Sequence, residues 1–253
     1  MIDTHAHLYL KDFKTDIAEV VDRAQLNGVN EIYLPAIDQS EHNNLLELEN
    51  RFPEIFRPMM GLHPCSVKEN YIHELDIVEK WLGKRKFYGI GETGLDYYWD
   101  TSFKEQQIIA FEKQINWAKE LNIPVIIHSR NSIDDCISLI EKHQDGSLSG
   151  VFHCFTGNRE QAKTITALGF FLGIGGVLTY KKSGLAEVLS ELNLDNIILE
   201  TDAPYLTPVP FRGKRNESSY LSYIAAELAR VKNLNPQEIA SVTSLNAKKL
   251  FKS

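Results

Sequence analysis

The opening stretch "MIDTHAHLYL" (1–10) sets two histidines, His5 and His7, one residue apart at the end of what reads as a short strand. Side chains alternate across a strand, so Asp3, His5 and His7 are expected on one face and Thr4 and Ala6 on the other. "MIDTHAH" (1–7) is the first of eight short runs rich in Val, Ile and aromatic residues. The others are "EIYLPAI" (31–37), "FRPMMGL" (56–62), "FYGIGE" (87–92), "PVIIHS" (124–129), "GVFHCF" (150–155), "FFLGIG" (170–175) and "NIILET" (196–201). Between them, apolar residues recur at the three- and four-residue intervals of helices over 13–27, 40–50, 71–83, 103–121, 131–143, 158–168 and 182–192.

Strands alternating with helices imply right-handed βαβ units and a parallel sheet covered by helices. Eight such units predict an α/β fold of the closed (β/α)8 TIM barrel type rather than an open doubly wound sheet. No G-x-G-x-x-G loop follows the first strand and no Walker loop is present, which removes the main support for nucleotide-binding alternatives. "GIGGV" (173–177) follows strand seven and reads as a tight turn that uses glycine's conformational range. After strand eight come an irregular Pro-rich loop (203–217) and helices over 218–232 and 236–251, the last with Asn235 as cap and Pro236 in the first turn. With no linker, repeat or low-complexity tract, residues 1–253 are expected to form one barrel domain.

The 253 residues suit a barrel of this kind, and 43% hydrophobic with 24% charged residues is ordinary globular usage. No apolar run approaches the roughly 20 residues of a membrane span. The polar start lacks the basic and apolar regions of a signal peptide, so a cytoplasmic location is expected. Cys65, Cys136 and Cys154 have no Cys-x-x-Cys spacing and are expected to be reduced and buried. A net charge of −7 disfavours binding to nucleic acid through a broad basic surface, though it leaves room for a local site whose positive charge comes from metal.

In such a barrel the chemistry sits at the C-terminal ends of the strands. There the sequence places His5 and His7, Glu92, His128, His153, and Glu200 followed by Asp202. Four histidines with Glu92 and Asp202 make six N and O ligands with no sulfur, a set suited to Zn, Mn, Co or Mg. Six ligands exceed what one catalytic ion uses while keeping an open position, so two divalent ions about 3.5 to 4 Å apart across a shared carboxylate are expected. One histidine at a strand end is ordinarily a satisfied polar residue; several ionisable groups gathered at one barrel mouth are costly to bury without metal. His42, His73 and His143 fall within or beside predicted helices and are expected to be solvated, whereas His63, after strand three, can reach the site.

Six motifs carry a family resemblance: "DTHAHL" (3–8), "GLHP" (61–64), "GETGLDYY" (91–98), "HSR" (128–130), "HCFTG" (153–157) and "ETDAPYL" (200–206), followed by "PFRGKRNE" (210–217). The chain resembles the TatD family of metal-dependent hydrolases, within the amidohydrolase superfamily, whose best-known members are deoxyribonucleases. Position by position, the resemblance implies that His5, His7 and Asp202 hold one ion, that His128 and His153 hold the other, and that Glu92 bridges them. Many superfamily relatives bridge with a carboxylated lysine on strand four; Glu92 stands there as in the TatD family. One departure is Ser218, where the family's "RNEP" commonly has proline, which alters loop stiffness and leaves the ligand set intact.

The expected chemistry is hydrolysis of DNA phosphodiester bonds, 3'-5' exonuclease-like by resemblance, with water activated by both ions and Asp202 as proton acceptor beside the bridging Glu92. His63, Arg130, Arg212, Arg215 and Lys214 are the candidate phosphate contacts, and Tyr97, within "DYYWD" (96–100), is a candidate for stacking bases of a single strand or a frayed end. No membrane and no obligate protein partner is implied. The same ions would polarise a carbonyl, so an amide or ester hydrolase such as an aminoacyl-tRNA deacylase is the second reading, and a metal-holding scaffold with little turnover the third. A basic, aromatic rim favours the first, a closed apolar pocket the second, and loss of the open coordination position the third.

Overall fold

A computed structural model describes residues 1–252. Parallel strands form at each of the eight apolar runs, with β4 and β5 running on past the ends of theirs: β1 Ile2–Asp3, β2 Glu31–Leu34, β3 Phe56–Pro58, β4 Ile90–Asp96, β5 Val125–Arg130, β6 Gly150–Phe152, β7 Phe171–Ile174 and β8 Ile197–Leu199. The ladder runs β1-β2-β3 and β4 through β8 in order, every pair parallel. Two seams close it. Met60 bridges to Ile90 between β3 and β4, and Ala6 bridges to Ala203 between the chain after β1 and the chain after β8. The Asp202 N–H donates to His5 O at 2.8 Å and the His7 N–H to Ala203 O at 2.7 Å, so the two histidines that follow β1 hang on the segment that carries Asp202.

Helices α1 Ile17–Leu26, α2 Gln39–Arg51, α3 Tyr71–Lys84, α4 Lys104–Leu121, α5 Ile133–His143, α6 Arg159–Ala167, α7 Leu185–Ser190 and α8 Leu221–Lys232 follow the strands in turn, and α9 Pro236–Phe251 ends the fold. Asn235 caps α9 as expected, its side chain accepting the Glu238 N–H at 2.7 Å. Among the described residues no helix is long and apolar enough to cross a membrane. One helix departs from expectation at His42. It is 2% exposed on the inner side of α2, and burial lowers its imidazole to about 4, so it is a neutral core residue rather than a solvated one.

Period two sorts the strands into two apolar layers. Ile32, Leu34, Val125, Ile127, Leu172 and Leu199 pack outward with the helices. Ile2, Tyr33, Met59, Ile126, Val151, Phe171 and Ile198, from strands of both ladders, pack with one another inside the barrel. The last turns of α9 close that inner layer from below: Phe251 stacks on Tyr33 with ring centroids 3.8 Å apart. Two residues further along the same strand faces come His128 above Ile126, His153 above Val151 and Glu200 above Ile198. The floor of the site is thus the inner layer itself.

Strand one obeys the period only in part. Its regular ladder stops at Asp3, whose carboxylate accepts from the Thr201 N–H at 2.9 Å and the Thr201 hydroxyl at 2.6 Å. Asp3 therefore ties β1 to the end of β8 and does not share the face of His5 and His7, which correct their aim in the irregular segment beyond it. Truncating the plug at the other end, Phe251→Ala, is expected to cost about 3 kcal/mol of stability, the usual loss for a buried aromatic. Urea unfolding of the variant checks this, and an unchanged midpoint would show that α9 does not support the inner layer.

Candidate metal centre and active site

Glu92 enters the mouth from β4, where the register with β5 shifts between Ile90 and Thr93. Its carboxylate is 2% exposed and has imidazoles on both sides. Oε2 lies 3.0 Å from His5 Nε2 and 3.3 Å from His7 Nε2. Oε1 lies 2.8 Å from His128 Nδ1, 3.1 Å from His153 Nε2 and 3.3 Å from His63 Nε2. Burial alone would raise the Glu92 carboxyl, but His153, His63 and His5 hold it well below the usual carboxylate range. Asp202, at φ 57° in the left-handed region that Asp tolerates, brings Oδ1 to 3.7 Å from His5 Nε2 and 3.6 Å from His7 Nε2. Burial pushes its carboxyl up to about 6.

Three sets of donor atoms lie within 4.8 Å of one another: His5, His7 and Glu92; His5, His153 and Asp202; His63, Glu92 and His128. The structure thus brings all six sequence-derived ligands, Glu92 among them, to one barrel mouth and adds His63. The donors fit a divalent cation. His5 Nε2 and His7 Nε2 are 3.2 Å apart, burial holds the His5 ring neutral, and the facing atoms are nitrogen and oxygen only. His63 stands apart chemically. Its Nδ1 accepts the Cys65 N–H at 3.0 Å, so in the neutral ring Nε2 carries the proton and is a donor rather than a ligand.

The loop that carries Asp202 is tied down on its far side. The Asn216 amide donates to Thr201 O at 2.7 Å and Tyr205 O at 2.6 Å, while Arg215 grips Asp16 with both terminal nitrogens at 2.8 and 2.6 Å. That pairing, and a contact over the Phe13 ring at 4.5 Å, corrects the expectation for Arg215: it braces the loop against the chain before α1 and does not line the cavity. Arg212 likewise lies over the Tyr180 ring at 4.1 Å, outside the lining. Tyr97 is turned away, its hydroxyl donating to Asp135 at 2.9 Å. Trp99 takes the place expected of Tyr97. It lines the cavity and is 67% exposed, and the Arg130 guanidinium sits 3.9 Å from the Tyr98 ring and 5.3 Å from that of Trp99.

The cavity above the imidazoles measures about 760 Å³ and its walls include Arg130, Trp99, Tyr205 and Leu206. Cys65 and Cys154 also line it, so only Cys136 is buried as expected. Sequence reasoning missed the residues behind the imidazoles. His7 Nδ1 is 2.9 Å from the Tyr9 hydroxyl, which donates to Pro35 O; His128 Nε2 is 2.8 Å from Asp96 Oδ2; His153 Nδ1 is 3.1 Å from Glu200 Oε1. Asp96 and Glu200 lay inside quoted motifs, but only tertiary contact shows which imidazole each one touches.

An eight-stranded barrel that gathers imidazoles and carboxylates at its strand ends is the architecture of a metal-dependent hydrolase of the amidohydrolase type. The chain belongs to the TatD family: residues 2–252 match the family model described as TatD related DNase. It is 38% identical over 253 residues to YabD of Bacillus subtilis, named an uncharacterized metal-dependent hydrolase, covering 100% of this chain and 99% of that one. It is 31% identical over 257 residues to a protein of Erwinia tasmaniensis named 3'-5' ssDNA/RNA exonuclease TatD, with 99% of each covered. Among solved structures, YJJV, a TatD homologue of Escherichia coli K12, superposes with a TM-score of 0.94 at 30% identity, covering 100% of this chain and 98% of that one.

Glu92→Ala is expected to abolish retention of divalent metal after dialysis, because one carboxylate serves both groups of imidazoles. Metal analysis of the dialysed protein reads the outcome, and a full complement in the variant would remove Glu92 from the centre.

Proposed function

We propose that the chain is a nuclease that hydrolyses phosphodiester bonds of single-stranded DNA, or of a frayed end, at two divalent ions shared by Glu92. One observation carries the reading: a carboxylate flanked by imidazoles on both of its oxygens lies beneath an open cavity whose rim stacks Arg130 on exposed Tyr98 and Trp99. Divalent cations held there would supply Lewis acidity toward water and toward a phosphoryl oxygen. His5, His7 and Asp202 would hold one cation and His128 with His153 the other. Mg, Mn, Zn and Co all suit such donors.

The remaining work belongs to the side chains. Asp202 orients the attacking water and takes its proton as the new P–O bond forms and the bond to the leaving nucleotide oxygen breaks. The Nε2–H of His63 and the guanidinium of Arg130 meet the negative charge on the phosphoryl oxygens. Trp99 and Tyr205, 67% and 52% exposed on the cavity wall, offer faces to unpaired bases. Exonuclease polarity of 3' to 5' rests on the name of the Erwinia relative. An aromatic, cationic rim favours this reading over an amide or ester hydrolase such as an aminoacyl-tRNA deacylase, for which a closed apolar pocket would be expected. Three free cysteines fit a reducing, cytoplasmic setting.

End-labelled single- and double-stranded DNA, incubated with protein loaded with Mg, Mn, Co or Zn beside a panel of esters and amides, tests the reading. Progressive shortening of the single strand is expected, and intact DNA alongside a cleaved amide would overturn it. Asp202→Asn, tolerated at a left-handed position, should lower kcat by roughly 10² to 10⁴ while substrate binding changes little. Trp99→Ala should raise KM for a single-stranded oligonucleotide by about tenfold, equivalent to one lost stack, and leave hydrolysis of a base-free aryl phosphodiester unchanged.

A further inference from the structure

The glycines of "GIGGV" (173–177) are not explained by backbone conformation. The chain does turn tightly in the short 3-10 helix Gly176–Thr179, but none of Gly173, Gly175 and Gly176 has a positive φ, so glycine's conformational range is not what the turn uses. Gly173 instead occupies an inward-facing position on β7, two residues beyond Phe171 of the inner layer. A Cβ there would lie 2.2 Å from Glu200 Oε2, 2.8 Å from its carboxyl carbon and 3.1 Å from His153 Cα. What Gly173 supplies is room for a carboxylate.

Glu200 uses that room to cross a strand. It stands just past β8, passes over Gly173 on β7 and meets His153 just past β6, and β6, β7 and β8 are neighbours in that order. Its Oε1 accepts from His153 Nδ1 at 3.1 Å and from the Cys154 N–H at 2.5 Å, in a buried side chain. An ionised carboxylate only accepts, so Glu200 takes the Nδ1–H of His153 and leaves Nε2, 3.1 Å from Glu92 Oε1, as the nitrogen available to a cation. His128 has the same arrangement reversed: Asp96, fixed by the Tyr98 and Trp99 N–H groups at 2.9 and 3.0 Å, takes Nε2 and leaves Nδ1 facing Glu92. The other pair differs. His7 is backed by a neutral tyrosine hydroxyl, and His5 Nδ1 is buried with no hydrogen-bond partner among the described residues.

We propose that Glu200, admitted by Gly173, is a positioning residue for His153 and, with Asp96 behind His128, supports one of the two metal positions selectively. The proposal rests on the metal-dependent reading above, including its assignment of His128 and His153 to one ion, and gives carboxylate backing to these two imidazoles alone. Backing of this kind raises the basicity of an imidazole ligand and restricts its rotation, and its removal costs about 10- to 100-fold in metal affinity. Gly173 and Glu200 are thus one device on two strands.

Metal stoichiometry and affinity, read by competition with a chromophoric chelator, test this without reference to turnover. Wild type is expected to hold two equivalents. Glu200→Ala and Gly173→Ala should each weaken one equivalent by about 100-fold and leave the other unchanged, and Glu200→Gln, which keeps the accepting oxygen but loses the charge, by about 10-fold. Thermal melting of the metal-free proteins accompanies the titrations. If Glu200→Ala does not fold, Glu200→Gln decides. Wild-type affinity at both positions in any variant that folds overturns the proposal, as does equal weakening of both equivalents. A wild-type protein that takes up no divalent ion overturns the metal-centred function itself, a distinct result.

Discussion

A carboxylate with 2% exposure is tolerable inside a barrel only if something offsets its lost hydration, and around Glu92 that role falls to ring nitrogens on both oxygens. Desolvation drives its carboxyl one way and the neighbouring imidazoles drive it further the other, so it stays charged. The rest of the structure serves this contact. The strands and the segments just beyond them bring His5, His7, His128 and His153 within contact of Glu92, the Ala6 to Ala203 bridge holds Asp202 beside them, and the inner apolar layer forms the floor.

Outside that contact the protein divides its charges by task. The arginines split along the same line: Arg215 is spent on bracing the Asp202 loop against Asp16, and Arg23 does the same through Glu217 at 2.7 Å. Arg130, stacked on rings instead of paired with an acid, keeps its hydrogen-bonding edge available at the cavity wall. A chain of net charge −7 thereby still presents a local cationic and aromatic rim at the cavity.

Much of this was legible in the residues. The eight strand segments, the helices between them and the cap at Asn235 followed from periodicity and cap chemistry, and strand ends pointed to the ionisable cluster. The failures share a cause. His42 was expected to be solvated because a helix position has no visible inner side until the helix is docked on its sheet. Within "DYYWD", adjacent aromatics point in different directions, and whether Tyr97 or Trp99 faces the cavity depends on how Asp96 pins the loop. Asp3 left the histidine face because Thr201, distant in sequence, was the better hydrogen-bond partner.

By itself the sequence determined the barrel, the family motifs and the set of metal-seeking side chains, because strand and helix periods and ligand chemistry are local properties of the chain. Tertiary structure alone decided which oxygen of Glu92 faces which imidazole, which nitrogen of each ring is turned inward, and why Gly173 has no side chain. Those are contacts between residues on different strands, such as the 47 positions separating His153 from Glu200, and they exist only once the barrel has closed.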